Sequence, residues 1–263
     1  MYYQQICSYV RDLCAEVGSF IKDEQKQISI NNIESKGVND FVTYVDKRAE
    51  EKLVEQLLKL IPESGFITEE KTISKLSKNF NWIIDPIDGT TNYIHGLPPY
   101  SISIALQEDN KIVVGVIYEI FTKEMFYAWK DGGSWLNGKS ITVSNTQNIR
   151  NALLATGFPY TNFAKMEQYM KLFEYLMQNS HGLRRLGSAA VDLAYVACGR
   201  IDGSYEYGLK PWDVAAGSFI VTQAGGKVND FQGENSWLFG QELVCGNISV
   251  CNQLTELTKE YFY

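Results

Sequence analysis

Histidine is almost missing: His95 and His181 are the only two in 263 residues. A histidine-rich zinc or iron centre is all but excluded, and a serine–histidine–aspartate triad would have to use one of those two. Cysteine is scarce and odd in number, at positions 7, 14, 198, 245 and 251, with no Cys-x-x-Cys pair. That argues against a disulfide framework or zinc knuckle and for small buried thiols in a reducing compartment. There is no run of about 18 apolar residues, so no membrane-spanning helix is expected. The segment from Met1 to Asp12 lacks a basic start followed by an apolar stretch, so no signal peptide is read and a cytoplasmic location is expected. Basic excess is lacking too: 24 Lys and Arg stand against 31 Asp and Glu, a net charge of −7. This argues against nucleic acid as the main partner. It leaves small phosphorylated ligands open, because a metal ion can supply positive charge locally. No G-x-S-x-G elbow, P-loop or G-x-G-x-x-G turn occurs, and no internal repeat or low-complexity segment. An enzyme with these gaps would run its chemistry on carboxylates, hydroxyls and metal. Asn247-Ile248-Ser249 matches a glycosylation acceptor, a chance match in a chain with no secretion signal.

What is present is ordinary globular composition, 45% hydrophobic and 21% charged, over a length that suits one large domain or two small ones. Ile6 to Lys26 and Val45 to Leu60 space their apolar residues at three and four, predicting amphipathic helices, the second stopped by Pro62. From Phe80 the chain reads as strands: Trp82-Ile83-Ile84 ending at Asp85-Pro86, Ser101 to Leu106, Lys111 to Tyr118 and Glu124 to Trp129. Asn137-Gly138 then signals a hairpin. Beyond Asn145 strands alternate with helices. Leu153 to Thr156 and Gly203 to Glu206 are expected as strands. Phe163 to Met177, Ser188 to Cys198 and Pro211 to Ala224 are expected as helices, the last with Pro in its first turn and Gly225-Gly226 at its end. A boundary is expected near Ser144, dividing an N-terminal α+β half (1–144) from a C-terminal α/β half (145–263).

The strongest chemical signal is Asp85-Pro86-Ile87-Asp88-Gly89-Thr90-Thr91-Asn92. An apolar strand delivers Asp85 to its end, and Pro86 keeps Asp85 out of the helical region. Asp88 can then turn back beside Asp85, and Gly89 permits an unusual backbone angle. Two such carboxylates repel unless a cation sits between them, and hard oxygen ligands suit Mg²⁺. Turn chemistry alone also explains Asp-Pro and Asp-Gly. Likewise Glu69-Glu70 reads equally as a solvated face, and Asp213 as a complement to a helix dipole.

Asp85 to Asn92 resembles the first signature of the inositol monophosphatase family, and Trp212-Asp213-Val214-Ala215-Ala216-Gly217 resembles its second. Asp40 to Asp46 and Gly187-Ser188-Ala189-Ala190 match flanking segments, so the resemblance covers nearly the whole chain. It implies an α+β/α/β chain folded as a layered α/β/α/β/α sandwich of the sugar-phosphatase type, a homodimer, and lithium-sensitive hydrolysis of phosphomonoesters with two to three Mg²⁺ ions per site. The substrate class implied is inositol monophosphate or a similar polyol or sugar phosphate, attacked by a metal-activated water. By position, Glu69, Asp85 and the Ile87 carbonyl would hold the first ion, and Asp85, Asp88 and Asp213 the second. A third, weaker ion would lean on Glu69. Asp46 with Thr90 would orient or deprotonate the water. The N–H groups of Gly89 and Thr90 would receive the phosphate, beside Asp88 and Asp213. Gly187, Ser188, Ala189 and Glu206 would line the polyol site. His95 is expected as a loop or dimer-contact residue, with a general acid as the alternative.

Three positions depart from the family pattern or stand at its edge. Thr68 stands where the family often has Gly before the Glu pair. Lys210 stands where some members have His. Lys36 precedes the Asp40 segment and either steers phosphate or solvates a loop. The Lys-Glu-Phe that nucleotide-phosphate phosphatases tend to carry after the first Thr is absent. Fructose bisphosphatase and histidinol phosphatase activities remain alternatives on the same signatures, as does a non-catalytic regulatory protein that kept the fold.

Overall fold

The computed structural model describes residues 2–27, 33–37, 40–159 and 162–263, with residues 33–42 described by backbone alone. The expected amphipathic helices are α1 (Tyr2–Gln25) and α2 (Tyr44–Leu60). In α1 the residues Ile6, Val10, Leu13, Val17 and Ile21 form one buried stripe, as spacing of three and four requires. A short hairpin, β1 (Ile33–Gly37) and β2 (Asp40–Thr43), leads into α2.

The first large sheet has seven strands in the order β3 (Gly65–Thr68), β4 (Phe80–Asp88), β5 (Ser101–Glu108), β6 (Lys111–Glu119), β7 (Glu124–Trp129), β8 (Ser134–Leu136) and β9 (Lys139–Ile141). Only β3 and β4 pair in parallel, and the other neighbours are antiparallel. Asn137 and Gly138 both take positive φ, 47° and 82°, in the β8–β9 turn, the backbone that the Asn-Gly signal demands. The second sheet has five strands in the order β11 (Gly182–Arg184), β10 (Leu153–Thr156), β12 (Gly203–Tyr207), β14 (Glu242–Gly246) and β13 (Lys227–Asn229).

The remaining helices are α3 (Thr90–Ile94), α4 (Met166–Asn179), α5 (Ala189–Ala197), α6 (Pro211–Gln223) and α7 (Ile248–Phe262). Side chains alternate across a strand, and here the alternation separates three cores. Trp82, Ile84, Ile102 and Ile104 face α1 and α2. Ile83, Ala105, Ile117 and Phe126 face α5 and α6, which meet Ala155, Leu243 and Cys245 of the second sheet on their other side. Leu154, Tyr205 and Val244 point outward to α4 and α7. The layers are therefore α, β, α, β, α, the sandwich expected from the family resemblance. The first sheet ends at Ile141 and the second begins at Leu153, so Ser144 falls between them. Yet α5 and α6, from beyond Ser144, fill the core beneath the first sheet.

Two expectations are corrected. The strand carrying Asp85 does not end at Pro86. It continues to Asp88, with its register to β5 shifting between Asp85 and Asp88. Pro86 lacks a ladder donor, and the irregularity at that point absorbs the loss. The polar positions of Ser101 to Leu106 do not face water either: every residue from Ser101 to Gln107 is buried. Ser103 donates to the Trp212 carbonyl at 3.1 Å, and small side chains on that face let α6 lie close. At Gly115 an added Cβ would come within 2.9 Å of the Ala216 carbonyl, and at Gly217 within 2.5 Å of Leu193. Close approach of α6 to both the sheet and α5 therefore depends on these two glycines.

Candidate active site

Asp85 sits within β4 at its irregularity, and the other acids of the sequence signal are delivered by the ends of elements. Because β3 runs parallel to β4 with Thr68 opposite Ile84, Glu69 emerges beside Asp85. Thr68 itself lies in β3 and is not among the residues of positive φ, so a β-branched residue is unstrained there. Asp85 Oδ1 accepts from the Ile87 N–H at 3.0 Å, which is the turn chemistry weighed above. Asp88 does something else. Its Oδ2 accepts from Ser188 Oγ and from the Ala190 N–H at 2.9 Å. It thereby ties β4 to the first turn of α5, whose N-cap is Ser188. Gly89 follows at φ 94°, where a Cβ would meet two carbonyl oxygens at 3.1 Å, so glycine is required.

Asp213 sits in the first turn of α6 and accepts the Lys210 N–H at 2.7 Å. Asp46 does the same for α2, accepting the Thr43 N–H at 2.9 Å through Oδ2. Its Oδ1 lies 3.4 Å from the Thr90 hydroxyl, which also reaches the Ile87 carbonyl at 3.0 Å. One hydroxyl proton thus faces two acceptors. The Asp46–Thr90 pairing expected from the resemblance is therefore present as geometry.

Carboxylate oxygens of Asp85, Asp88 and Asp213 lie within 4.8 Å of one another. Asp85 and Asp88 are buried and Asp213 half-buried. Burial, then the charges of Glu69, Asp88 and Asp213, push Asp85 well above the ordinary carboxylate range. Burial and Asp88 push Asp213 up likewise. Asp88 rises only to about 6, because the Ser188 and α5 backbone hydrogen bonds oppose its burial. Crowded carboxyls that resist ionisation for want of a counter-charge fit a hard cation, and Mg²⁺ suits their all-oxygen donor set. Asp85, Asp88 and Asp213 form the group that could hold it, and Glu69 and Ile87 line the same cleft.

The cleft over these acids measures about 550 Å³. Gly187, Ser188, Ala189 and Glu206 line it as expected, although the Ser188 hydroxyl is committed to Asp88. Glu206 is pushed up to about 8 by burial, against the lowering pull of Arg185. Its carboxyl packs on Gly157, where any Cβ would fall 1.8 Å from Oε1. Lys210 lines the cleft as well. His95 does not: it is exposed at the end of α3, which leaves the general-acid alternative without support. The side chain of Lys36 lies outside the described residues, as do those of Asp40 to Val42. Among the described residues, no helix is long and apolar enough to cross a membrane.

Sequence reasoning missed three residues here. Arg185 lines the cleft with its guanidinium 5.3 Å from the Phe158 ring. Asp192 lines it from within α5. Glu50, buried on α2, accepts from the Glu70 N–H, the Thr72 N–H and the Thr72 hydroxyl, each at 2.8 Å, and so holds the segment that follows Glu69. A signal existed for Asp192, a single acid inside the apolar stretch Ala189 to Ala197, much as Asp213 stands out in α6.

Comparison with known proteins agrees with this fold. The chain is 41% identical over 213 residues to the Nus factor SuhB of Escherichia coli K12, covering 81% of this chain and 80% of that one. Its structure resembles the extragenic suppressor protein SuhB of Bartonella henselae at a TM-score of 0.91, with 32% identity over 97% of this chain and 99% of that one. It resembles SaIMPase-II bound to inositol monophosphate at a TM-score of 0.80, with 25% identity over 98% and 93% of the two chains. The family profile described as inositol monophosphatase matches residues 3–262. With that match running nearly end to end and the signature acids gathered in one cleft, the chain belongs to the inositol monophosphatase family.

Proposed function

We propose that the protein is a Mg²⁺-dependent phosphomonoesterase acting on inositol monophosphate or a similar polyol or sugar phosphate. One observation carries the reading: Thr90, in reach of the buried Asp46, lines the same cleft as the Asp85, Asp88, Asp213 cluster and Glu206. Bound Mg²⁺ would neutralise phosphoryl charge and acidify water at the site. The chain's own groups do the rest. The first turns of α3, α5 and α6 open on the cleft, and the N–H groups of Gly89 and Thr90 are assigned to the phosphate oxygens. Asp46, fixed by Thr43, accepts a proton from the nucleophile's side through Oδ1, with Thr90 as the relay or orienting group. Gly187, Ala189 and Glu206 contact the leaving group. Phosphoryl transfer needs chiefly such positioning and charge neutralisation, so a chain with two histidines lacks nothing for it.

The name Nus factor borne by relatives favours a second reading, a regulatory protein that kept the fold. Retention of Glu69, Asp85, Asp88 and Asp213 around an open cleft supports catalysis instead. Phosphate release from a panel of phosphomonoesters, with Mg²⁺ and with a chelator, tests the proposal. Turnover of at least one polyol phosphate, abolished by the chelator, is expected. Full turnover in metal-free buffer would overturn the metal assignment, and no turnover of any ester would overturn the enzyme reading.

A further inference from the structure

Asp192 is 3% exposed, yet its Oδ1 has no hydrogen-bond partner among the described residues, and the residue lines the cleft. A buried acceptor left bare is costly, so its presence needs a reason. A helix-capping role does not supply one. The first-turn N–H of Ala190 is already taken by Asp88 and that of Val191 by Ser188, and Asp192 lies beyond both. Nor does the helix need a polar face, since α5 is otherwise apolar and buried between the two sheets.

Its surroundings indicate what the bare oxygen is for. Glu206 is the charged group that bears most on Asp192, followed by Asp88, with Arg185 acting in the opposite sense. Arg185 also acts on Glu206. Its guanidinium lies against Gly187, where a Cβ would come within 2.6 Å of Nη1. Lys210 acts instead on Asp213, toward the metal acids. The wall formed by Arg185, Asp192 and Glu206 therefore offers the cleft two carboxyls and one guanidinium.

Resting on the phosphatase reading above, we propose that Asp192 is a specificity-determining residue: with Glu206 it accepts hydrogen bonds from hydroxyl groups of the leaving group, and so selects a polyol over an anionic leaving group. A vicinal pair of hydroxyls has the donors that two carboxyls require. A second phosphate or a carboxylate offers acceptors only, so it would leave the bare Oδ1 of Asp192 unpaired.

The test compares wild type with Asp192→Asn and Asp192→Ala on three substrates with Mg²⁺: inositol monophosphate, fructose 1,6-bisphosphate and an aryl phosphate. Melting temperature is recorded for each protein without metal. Both variants are expected to lose about ten- to a hundredfold in kcat/KM on inositol monophosphate, while the aryl phosphate changes by less than about threefold. The bisphosphate-to-inositol ratio should rise. Losses equal on all three substrates, or a fall in melting temperature with unchanged ratios, would overturn the proposal and make Asp192 structural. Wild type that hydrolyses the aryl phosphate but neither natural-type ester would overturn it while the phosphatase reading stands. Wild type that hydrolyses none of the three would remove that reading first, and this proposal with it.

Discussion

Asp46 and Thr90 illustrate how far a single residue can be read ahead of its structure. Their separation of 44 positions gives no hint of contact, and only the family resemblance joined them, yet Thr90 Oγ1 and Asp46 Oδ1 stand 3.4 Å apart. Neither belongs to the cluster of Asp85, Asp88 and Asp213. Thr90→Ala and Asp46→Asn should therefore lower kcat by about a hundred- to ten-thousandfold, the usual range for a proton-transfer group. Both should keep the rise in melting temperature on adding Mg²⁺. Wild-type turnover in either variant would remove that residue from the reaction. Arg185 left no signal, and the one that Asp192 left could not be assigned a role, for a physical reason. A lone acid in an Ala-rich helix has the same local pattern whether it faces a ligand, a water or a cap. Only the strand order that stacks α5 beside β12 brings it near Glu206.

At the scale of elements, helices with strong periodicity were legible, as were the short strands Leu153–Thr156 and Gly203–Tyr207, while other short strands were not. Stretches such as Glu242–Gly246 and Lys227–Asn229 have too few residues to show a period, and their strand form rests on pairing with each other and with β12. The C-terminal helix Ile248–Phe262 carried a signal that went unread: Asn247 caps it by accepting the Val250 N–H at 3.0 Å. The element that matters most for the site is α2, because it carries both Asp46 and, one turn on, Glu50. Glu50→Ala would strand two backbone N–H groups and a hydroxyl, a loss of about 1–3 kcal/mol. It should also raise the Mg²⁺ concentration needed for half-maximal thermal shift, because the segment bearing Glu69 is released. A melting-temperature loss with an unchanged Mg²⁺ response would make Glu50 a structural anchor only. Packing of α6 offers an independent check. Gly217→Ala gains about 1 kcal/mol of helix propensity. Its Cβ, however, would lie 2.5 Å from that of Leu193, and overpacking of this kind costs about 1–3 kcal/mol. The clash should win, giving a lower melting temperature and reduced turnover as Asp213 moves with its helix. A variant as stable as wild type would mean that α5 yields without cost.

For the whole molecule, the buried acids set a pH dependence. Burial raises Glu206 from 4.5 to about 8 and Asp88 from 3.8 to about 6. Between those limits the folded chain binds more protons than the unfolded one, so stability falls as pH rises through the window. Metal-free protein should consequently melt higher at pH 6 than at pH 8. Protons and Mg²⁺ compete for the same oxygens, so the Mg²⁺-induced rise should be larger at pH 8. Calorimetric melts at both pH values, with and without Mg²⁺, decide the matter. Equal melting temperatures without metal would mean that the carboxyls ionise freely in the folded state. The layer order itself followed from the family resemblance. Composition and periodicity gave its pieces, a helical start, a strand block and an alternating remainder, but not their stacking, which depends on pairings between strands far apart in sequence.

The middle layer has one more consequence. Helices α5 and α6 are covered by a sheet on each side, and their first turns carry Asp213 and the partners of Asp88. Amide protons in such a layer exchange with deuterated solvent only when both sheets let go, which approaches global unfolding. The interior turns of both helices should therefore be among the slowest-exchanging segments of the chain, while Thr91, the exposed residue of α3, exchanges early. Asp213 and the groups that anchor Asp88 would then belong to the part of the protein that opens least often, so that this side of the site persists, ligand or none, for as long as the fold does.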